Sequence, residues 1–310
     1  MGYAGEYNQA MNPKRRERVM AKSKRYPLGT FMKEFSNEAK CREYLANLRW
    51  PGGFVCPKCG CHHACLLSNG RYQCAECHHQ NSVTAGTVLH RTHMPLTQWF
   101  LAFYFVSQDK RGISAVALMS MLGTTYKTAW YMLMRIRTAM GQRDKIHQLN
   151  GTIEFDDTYF GGPTVGKKRG RGTEKAKVFV AISLDERGNP LYTKMRVTQN
   201  IKRASVKKFA QAAFVQSSTI HSDGYGSYIP ALEGYTHEHK PYNPNSGLLH
   251  WLHIVISNAK AFILGTYHGL PKKHLQAYLD EYCFRFSRRD FGPRLLERLV
   301  LAIGASAWLS

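Results

Sequence analysis

Thr152-Ile153-Glu154-Phe155-Asp156-Asp157-Thr158-Tyr159-Phe160-Gly161-Gly162 is the stretch on which the reading of this 310-residue chain turns. Ile153 and Phe155 alternate with polar neighbours, the period-two pattern of a half-buried strand. The strand then runs into two adjacent carboxylates and a Gly-Gly turn. A second strand candidate, Ser218-Thr219-Ile220-His221-Ser222, ends the same way, at Asp223 followed by Gly224. Asp before Gly is ordinary turn chemistry. Two strands that each deliver an Asp at the carboxyl end also make a paired-carboxylate site for a hard divalent cation.

Outward from that strand, Val178–Leu184 and Leu191–Val197 read as a hairpin across the turn residues 185–190, and Ala204–Val215 as a helix before the strand to Asp223. Three strands, a helix and a fourth strand is the ribonuclease-H-like order. In that order the first and fourth strands are neighbours, which predicts that Asp156 and Asp223 meet. Between the first two strands, Gly166-Lys167-Lys168-Arg169-Gly170-Arg171-Gly172 carries four cations on a spacer that cannot pack and suits a phosphate backbone, with a solvated loop as the plainer reading. A polar loop, Tyr235–Gly247, precedes a helix from about Leu252 to Leu264. The closing segment Pro271–Arg289 puts Leu275, Tyr278, Leu279, Tyr282 and Phe286 on one helical face.

Upstream the period is helical. Pro95 opens a helix with Trp99, Phe100, Phe103, Tyr104 and Val106, broken at Lys110-Arg111-Gly112. Ser114 caps a short helix, Leu122-Gly123-Thr124-Thr125 makes a tight turn, and Thr125–Met140 forms a longer helix carrying Lys127, Arg135 and Arg137. Short helix, glycine turn and longer helix is the helix-turn-helix pattern, with a plain helical hairpin as its alternative. Cys56-Pro57-Lys58-Cys59 and Cys74-Ala75-Glu76-Cys77 flank a hairpin signal, Asn69-Gly70. Two such knuckles place four thiolates tetrahedrally around one zinc ion, a structural site because all four ligands are protein. Cys61, Cys65, His62, His63, His78 and His79 are the possible substitutes. A short helix within Phe31–Trp50, capped at Ser36-Asn37, follows a basic arm of seven cations between Lys14 and Arg25.

Lys plus Arg number 43 against 21 Asp plus Glu, a net charge of +22. A charge of that size self-repels until a polyanion neutralises it, so nucleic acid is the first partner to consider. No apolar run reaches the length of a membrane span and the N-terminus lacks a signal-peptide apolar region, so the expectation is a cytosolic protein. Paired cysteines there argue for metal and against disulfides.

The strand Ile153–Gly162, the segment His221-Ser222-Asp223-Gly224-Tyr225, Gly265-Thr266-Tyr267-His268 and the run Lys272–Glu281 followed by Phe284-Arg285-Phe286 resemble the bacterial insertion-sequence transposases that join an N-terminal zinc ribbon to an ISXO-like DDE-type domain. The resemblance covers about Phe31 to Arg289. It implies metal-dependent cleavage and strand transfer on double-stranded DNA at transposon ends, by an enzyme assembled as a homo-oligomer in the bacterial nucleoid. It maps the first and second catalytic Asp onto Asp156 and Asp223, with Asp157 as the acidic neighbour. Many relatives carry a Glu on the following helix, where this chain has no carboxylate. Counting back from Gly265 puts His253 at that position, and Asn258, 35 positions after Asp223, is the other candidate. Magnesium or manganese would serve, an imidazole ligand tilting preference toward manganese. Lys260, seven positions after His253, falls on the same helix face and can hold a DNA phosphate.

The expected architecture is therefore multi-domain α+β: a basic arm and short helix (1–49), a zinc ribbon (50–92), a helix-turn-helix region (93–148), a ribonuclease-H-like α/β domain with a mixed sheet (149–292) and a C-terminal tail (293–310). Rival readings are an inactivated transposase serving as a DNA-binding regulator, which the missing Glu favours, and a ribonuclease-H-like nuclease without joining activity.

Overall fold

The short α1 (Leu28–Glu34) leads to α2 (Glu38–Arg49), which Asn37 starts, its side chain accepting from Lys40 N–H. The structure, a computed structural model, describes residues 26–162, 174–241, 247–268 and 270–306. Three short strands follow α2, β1 (Ala64–Leu66), β2 (Tyr72–Cys74) and β3 (Gln80–Asn81), paired antiparallel in that order. Gly70 turns the first hairpin at φ +77°, a conformation that favours glycine. Trp50, Phe54 and Tyr72 pack ring to ring at 5.1–5.9 Å and fasten this small sheet to the end of α2.

Helices α3 (Leu96–Gln108), α4 (Ala115–Leu122) and α5 (Tyr126–Lys145) come next. Ser114 and Thr125 cap α4 and α5 through their side-chain oxygens, and Gly123 supplies the left-handed residue between them. The short helix, glycine turn and longer helix are thus formed as their turn residues predict, although α5 runs to Lys145. Trp99, Phe100, Phe103, Leu118, Ile136 and Met140 bury the shared core of α1–α5.

The larger sheet holds β4 (Thr152–Phe160), β5 (Ala176–Leu184), β6 (Pro190–Thr198), β7 (Thr219–Ser222) and β8 (Thr236–His239), with α6 (Arg203–Ala213) between β6 and β7. Its order is β6-β5-β4-β7-β8, antiparallel from β6 to β4 and parallel from β4 to β8, which is the mixed ribonuclease-H-like sheet. One face carries Ile153, Phe155, Phe179 and Ala181 against Val206, Phe209 and Ala210 of α6. The other carries Phe160, Val178, Val180 and Ile182 against α7 (His250–Thr266) and α8 (Leu275–Phe286). β4 is thus covered on both faces, not half-buried.

Two expectations need correction. The stretch Tyr235–Gly247, expected as a polar loop, contains β8, an edge strand whose Thr-His-Glu-His sequence has no apolar alternation because its side chains are largely exposed. The expected C-terminal tail contains α9 (Leu295–Ala305), whose Leu296, Leu299, Val300 and Ile303 are buried in the N-terminal helical core. Ser306 closes that return, its carbonyl accepting from Val88 N–H at 2.8 Å. No helix among the described residues is long and apolar enough to cross a membrane.

Candidate active site and metal centres

The register of β4 on β7 brings the two aspartates together. Glu154 stands opposite His221, so two residues further along each parallel strand come Asp156 and Asp223. β7 ends at Ser222 and its pairing with β4 stops at Glu154, which leaves the edge of β4 open where Asp156 and Asp157 lie. Asp223 folds its carboxylate back onto Tyr225 N–H at 3.0 Å. Gly224 follows at φ +75°, and a side chain there would press on His239. Burial, the Asp223 charge and the Asp157 charge push the Asp156 carboxyl up to about 7. Partial relief comes from Asp157 N–H, 2.7 Å from Asp156 Oδ1. The Tyr228 hydroxyl donates to Asp157 Oδ1 at 2.6 Å and also lies 3.2 Å from Asp156 Oδ1. Tyr228 is itself fully buried, its ring 4.9 Å from that of Phe155. The Asp223 charge bears on Asp156 across this partly buried edge, a repulsion that a divalent cation would relieve, although among the described residues the four ribbon thiols are the group of three or more candidate ligands that the fold draws together. Nothing in its local sequence marks Tyr228 as the support of Asp156 and Asp157.

Helix α7 lies along the same face of β4. Lys260 brings its ammonium 5.9 Å from the Phe160 ring centre, and burial followed by the Lys175 charge lowers its pKa. His253 is half-buried, its pKa lowered by burial and then by His250 and Lys260, so the neutral, ligating form of the imidazole is favoured. Asn258 is exposed, five residues from His253 and so about 140° away around the helix. The two candidates for the third position therefore stand on different flanks of α7, with His253 on the stripe that includes Lys260.

In the ribbon, Cys56, Cys59, Cys74 and Cys77 converge, all four sulfurs lying within 4.8 Å of one another. Cys56–Cys77 at 3.6 Å and Cys59–Cys74 at 3.5 Å approach the about 3.8 Å expected between thiolates on a tetrahedral zinc with Zn–S about 2.3 Å. Backbone N–H groups of Cys77 and Glu76 hold the Cys74 thiol below its ordinary range, as a thiolate ligand requires. Cys61 turns its sulfur to the backbone of His63 and Cys65 to Gln73 O, so among the described residues these four cysteines form the cluster. Metal analysis of the purified protein is expected to give one zinc per chain, and Cys74→Ser to lose it together with the fold of residues 56–81. Full zinc occupancy in that variant would place the ion elsewhere.

Several residues expected on DNA are placed differently. Lys127 is exposed on the first turn of α5, beside the exposed Tyr126 and near Tyr131. Arg135 and Arg137 are not available to DNA in this arrangement, because both are buried in structural contacts. Arg135 donates to the carbonyls of Val88 and His90 at 2.8 and 3.0 Å and so ties α5 to the segment leaving the ribbon. Arg137 pairs with Glu281 of α8 at 2.8 Å, and both side chains are almost wholly buried. Lys167, Lys168, Arg169, Arg171 and the basic arm to Arg25 lie outside the described residues.

Comparison with known proteins bears on the same two clusters. The profile of the "Transposase zinc-ribbon domain" matches residues 36–80, and that of the "ISXO2-like transposase domain" matches residues 148–287. An "Uncharacterized protein in transposable element ISH50" of Halobacterium salinarum is 24% identical over 279 residues, covering 82% of this chain and 92% of that protein. Among solved structures, the Mos1 mariner paired end complex with Mn aligns at 12% identity and TM-score 0.30, over 63% of this chain and 75% of that one. A chain of the simian T-cell lymphotropic virus intasome bound to PP2A regulatory subunit B56 gamma aligns at 11% identity and TM-score 0.29, over 60% of this chain. This chain spans 65% of that intasome chain, just under two thirds of its length. The two profiles match in chain order, one across the four ribbon thiols and the other across Asp156 and Asp223, so the chain joins a transposase zinc-ribbon domain to an ISXO2-like transposase domain.

Proposed function

We propose that this transposase binds DNA ends through its ribbon and helix-turn-helix and carries out metal-dependent cleavage and strand transfer at Asp156 and Asp223, assembled on DNA as a homo-oligomer. The observation that supports this reading is the register of β4 on β7, with Asp156 and Asp223 each two residues beyond the last paired position, where the edge of β4 is open. Asp156 and Asp223 would hold magnesium or manganese, with His253 in preference to Asn258 as the third ligand. A divalent cation held by these residues would supply charge neutralisation at the phosphate and activation of the attacking oxygen. The chain supplies the rest: Tyr228 orients the carboxylates of Asp156 and Asp157, and Lys260 offers its ammonium to a phosphate. Exposed Lys127 and the +22 net charge suit the DNA backbone.

The test is strand cleavage of a labelled duplex carrying the transposon's terminal repeat, in each metal. His253→Ala is expected to lose cleavage by about 100-fold or more, as befits removal of a ligand, while Asn258→Ala stays within about threefold. The reverse ranking would move the third ligand to Asn258. A wild-type chain that binds ends and never cleaves them in either metal would be a regulator. End binding should weaken steeply with salt, each neutralised phosphate adding about 0.9 to the log–log slope. A flat salt response would point to a partner other than a polyanion.

A further inference from the structure

We propose that Glu154 is a positioning residue: it docks the start of α7, and with it His253 and Lys260, onto the strand that carries Asp156. This inference rests on the function proposed above. Glu154 is 7% exposed, and burial raises its pKa. A buried carboxylate is costly unless strong donors surround it. Here the donors are backbone. Leu252 N–H donates to Glu154 Oε2 at 2.7 Å, and Trp251 N–H, the next amide back, adds a smaller favourable influence on the same carboxylate.

Those two amides are the second and third of α7, the pair that a helix's own N-cap side chain ordinarily satisfies. Helix α7 has no such cap. The preceding residue is Leu249, at φ +57° and without a capping side chain, buried in the core. Glu154 performs that service from 98 positions away in the sequence, with its charge at the positive end of the helix dipole.

The consequence is geometric. Glu154 and Asp156 project from the same face of β4, about 7 Å apart along the strand. One strand thereby sets both the first aspartate and the origin of the helix that presents the third position. His253 directly follows Leu252. The apolar contacts of Leu252, Val255, Ile256 and Ala259 with the sheet bury area but tolerate small slides and rotations. A short, directional hydrogen bond at the helix start does not.

Three substitutions in the full chain test this, measured well below the melting temperature of each variant. The readouts are Mn²⁺ affinity without DNA, by electron paramagnetic resonance, and cleavage of a terminal-repeat duplex. Glu154→Gln keeps an oxygen at the same reach and is expected to stay within about threefold of wild type in both. Glu154→Leu removes the acceptor and is expected to lose about 10- to 100-fold in cleavage and to weaken Mn²⁺ binding, with end binding unchanged. Glu154→Asp keeps the charge on a stem one carbon shorter, so α7 must shift to stay capped, and it should fall below Glu154→Gln in both readouts. If Glu154→Asp outperforms Glu154→Gln, the charge matters and the reach does not, and the proposal fails. It fails equally if a folded Glu154→Leu binds Mn²⁺ and cleaves as wild type does. Should Glu154→Leu not fold, the order of the other two still decides. Asp156→Asn runs beside them: if it cleaves normally, the proposed function is at fault and not the role of Glu154.

Discussion

Asp156→Asn is expected to reduce strand cleavage by about 10³-fold or more and to leave DNA-end binding within about twofold. The asymmetry follows from the fold. Asp156 lies at an open strand edge of the large sheet, whereas the thiol cluster and the exposed first turn of α5 belong to the N-terminal part of the chain. Asn keeps the shape and removes the charge, so a cation would lose one of its anionic ligands. Asp223→Asn should behave alike, and the double variant should be little worse than either single one, since the pair acts as a unit. The pH dependence carries a definite sign. With Asp156 pushed up to about 7, protons compete with metal below that value. The half-saturating Mn²⁺ concentration should therefore fall as pH rises toward about 7 and level off above it. Without metal, this group's contribution to stability should decline as pH rises from about 4 to about 7, because only the folded state favours its proton there. Titrating Mn²⁺ at several pH values, with thermal melts alongside, checks both. A pH-independent metal requirement would mean that Asp156 is not a ligand.

What could be read from the sequence was whatever is local in cause. The two Cys-x-x-Cys knuckles, the Asn69-Gly70 hairpin and the Ser114 cap depend on a few neighbouring residues, and the structure forms each of them. The meeting of Asp156 with Asp223 was legible for another reason: the order of strands and helix constrains which strands can be neighbours. Illegible features came from distant partners. Glu154 looks like any polar residue alternating outward from a strand until α7 arrives to cover it. β8 has no hydrophobic signature, because an edge strand needs only the backbone of β7 to pair with. Arg135 and Arg137 sit where a recognition helix would present cations, and their burial depends on Val88, His90 and Glu281, all remote in sequence. The same holds for α9, whose docking site is built almost entirely by residues before Met140.

Glu281→Ala is expected to be among the most destabilising single substitutions in the chain. Glu281 sits between two guanidinium groups, Arg137 at 2.8 Å and Arg285 at 3.3 Å, and Arg137 also stacks 3.9 Å over the Tyr278 ring. Removing the carboxylate strands two buried cations with no counter-charge between them. Breaking a buried pair by removing one partner costs about 3–5 kcal/mol, and for a protein of this size that corresponds to a melting temperature lower by about 10 °C. Arg137→Ala should cost less, because Glu281 keeps Arg285 as its partner. The double substitution Arg137→Met with Glu281→Leu replaces one charge pair by apolar volume and is expected to recover part of the loss, Arg285 still lacking its Glu281 partner. The pair also joins α5 to α8, which packs on the large sheet. At a second point on that seam Asp280 lies so close to Gly141 that a Cβ there would fall 2.4 Å from its carboxylate oxygen. Melting followed separately in the ribbon, by zinc release, and in the large sheet, by circular dichroism, should therefore give one shared transition in the wild type and two in Glu281→Ala. A single unshifted transition in that variant would show that the two halves are held together by their apolar contacts alone.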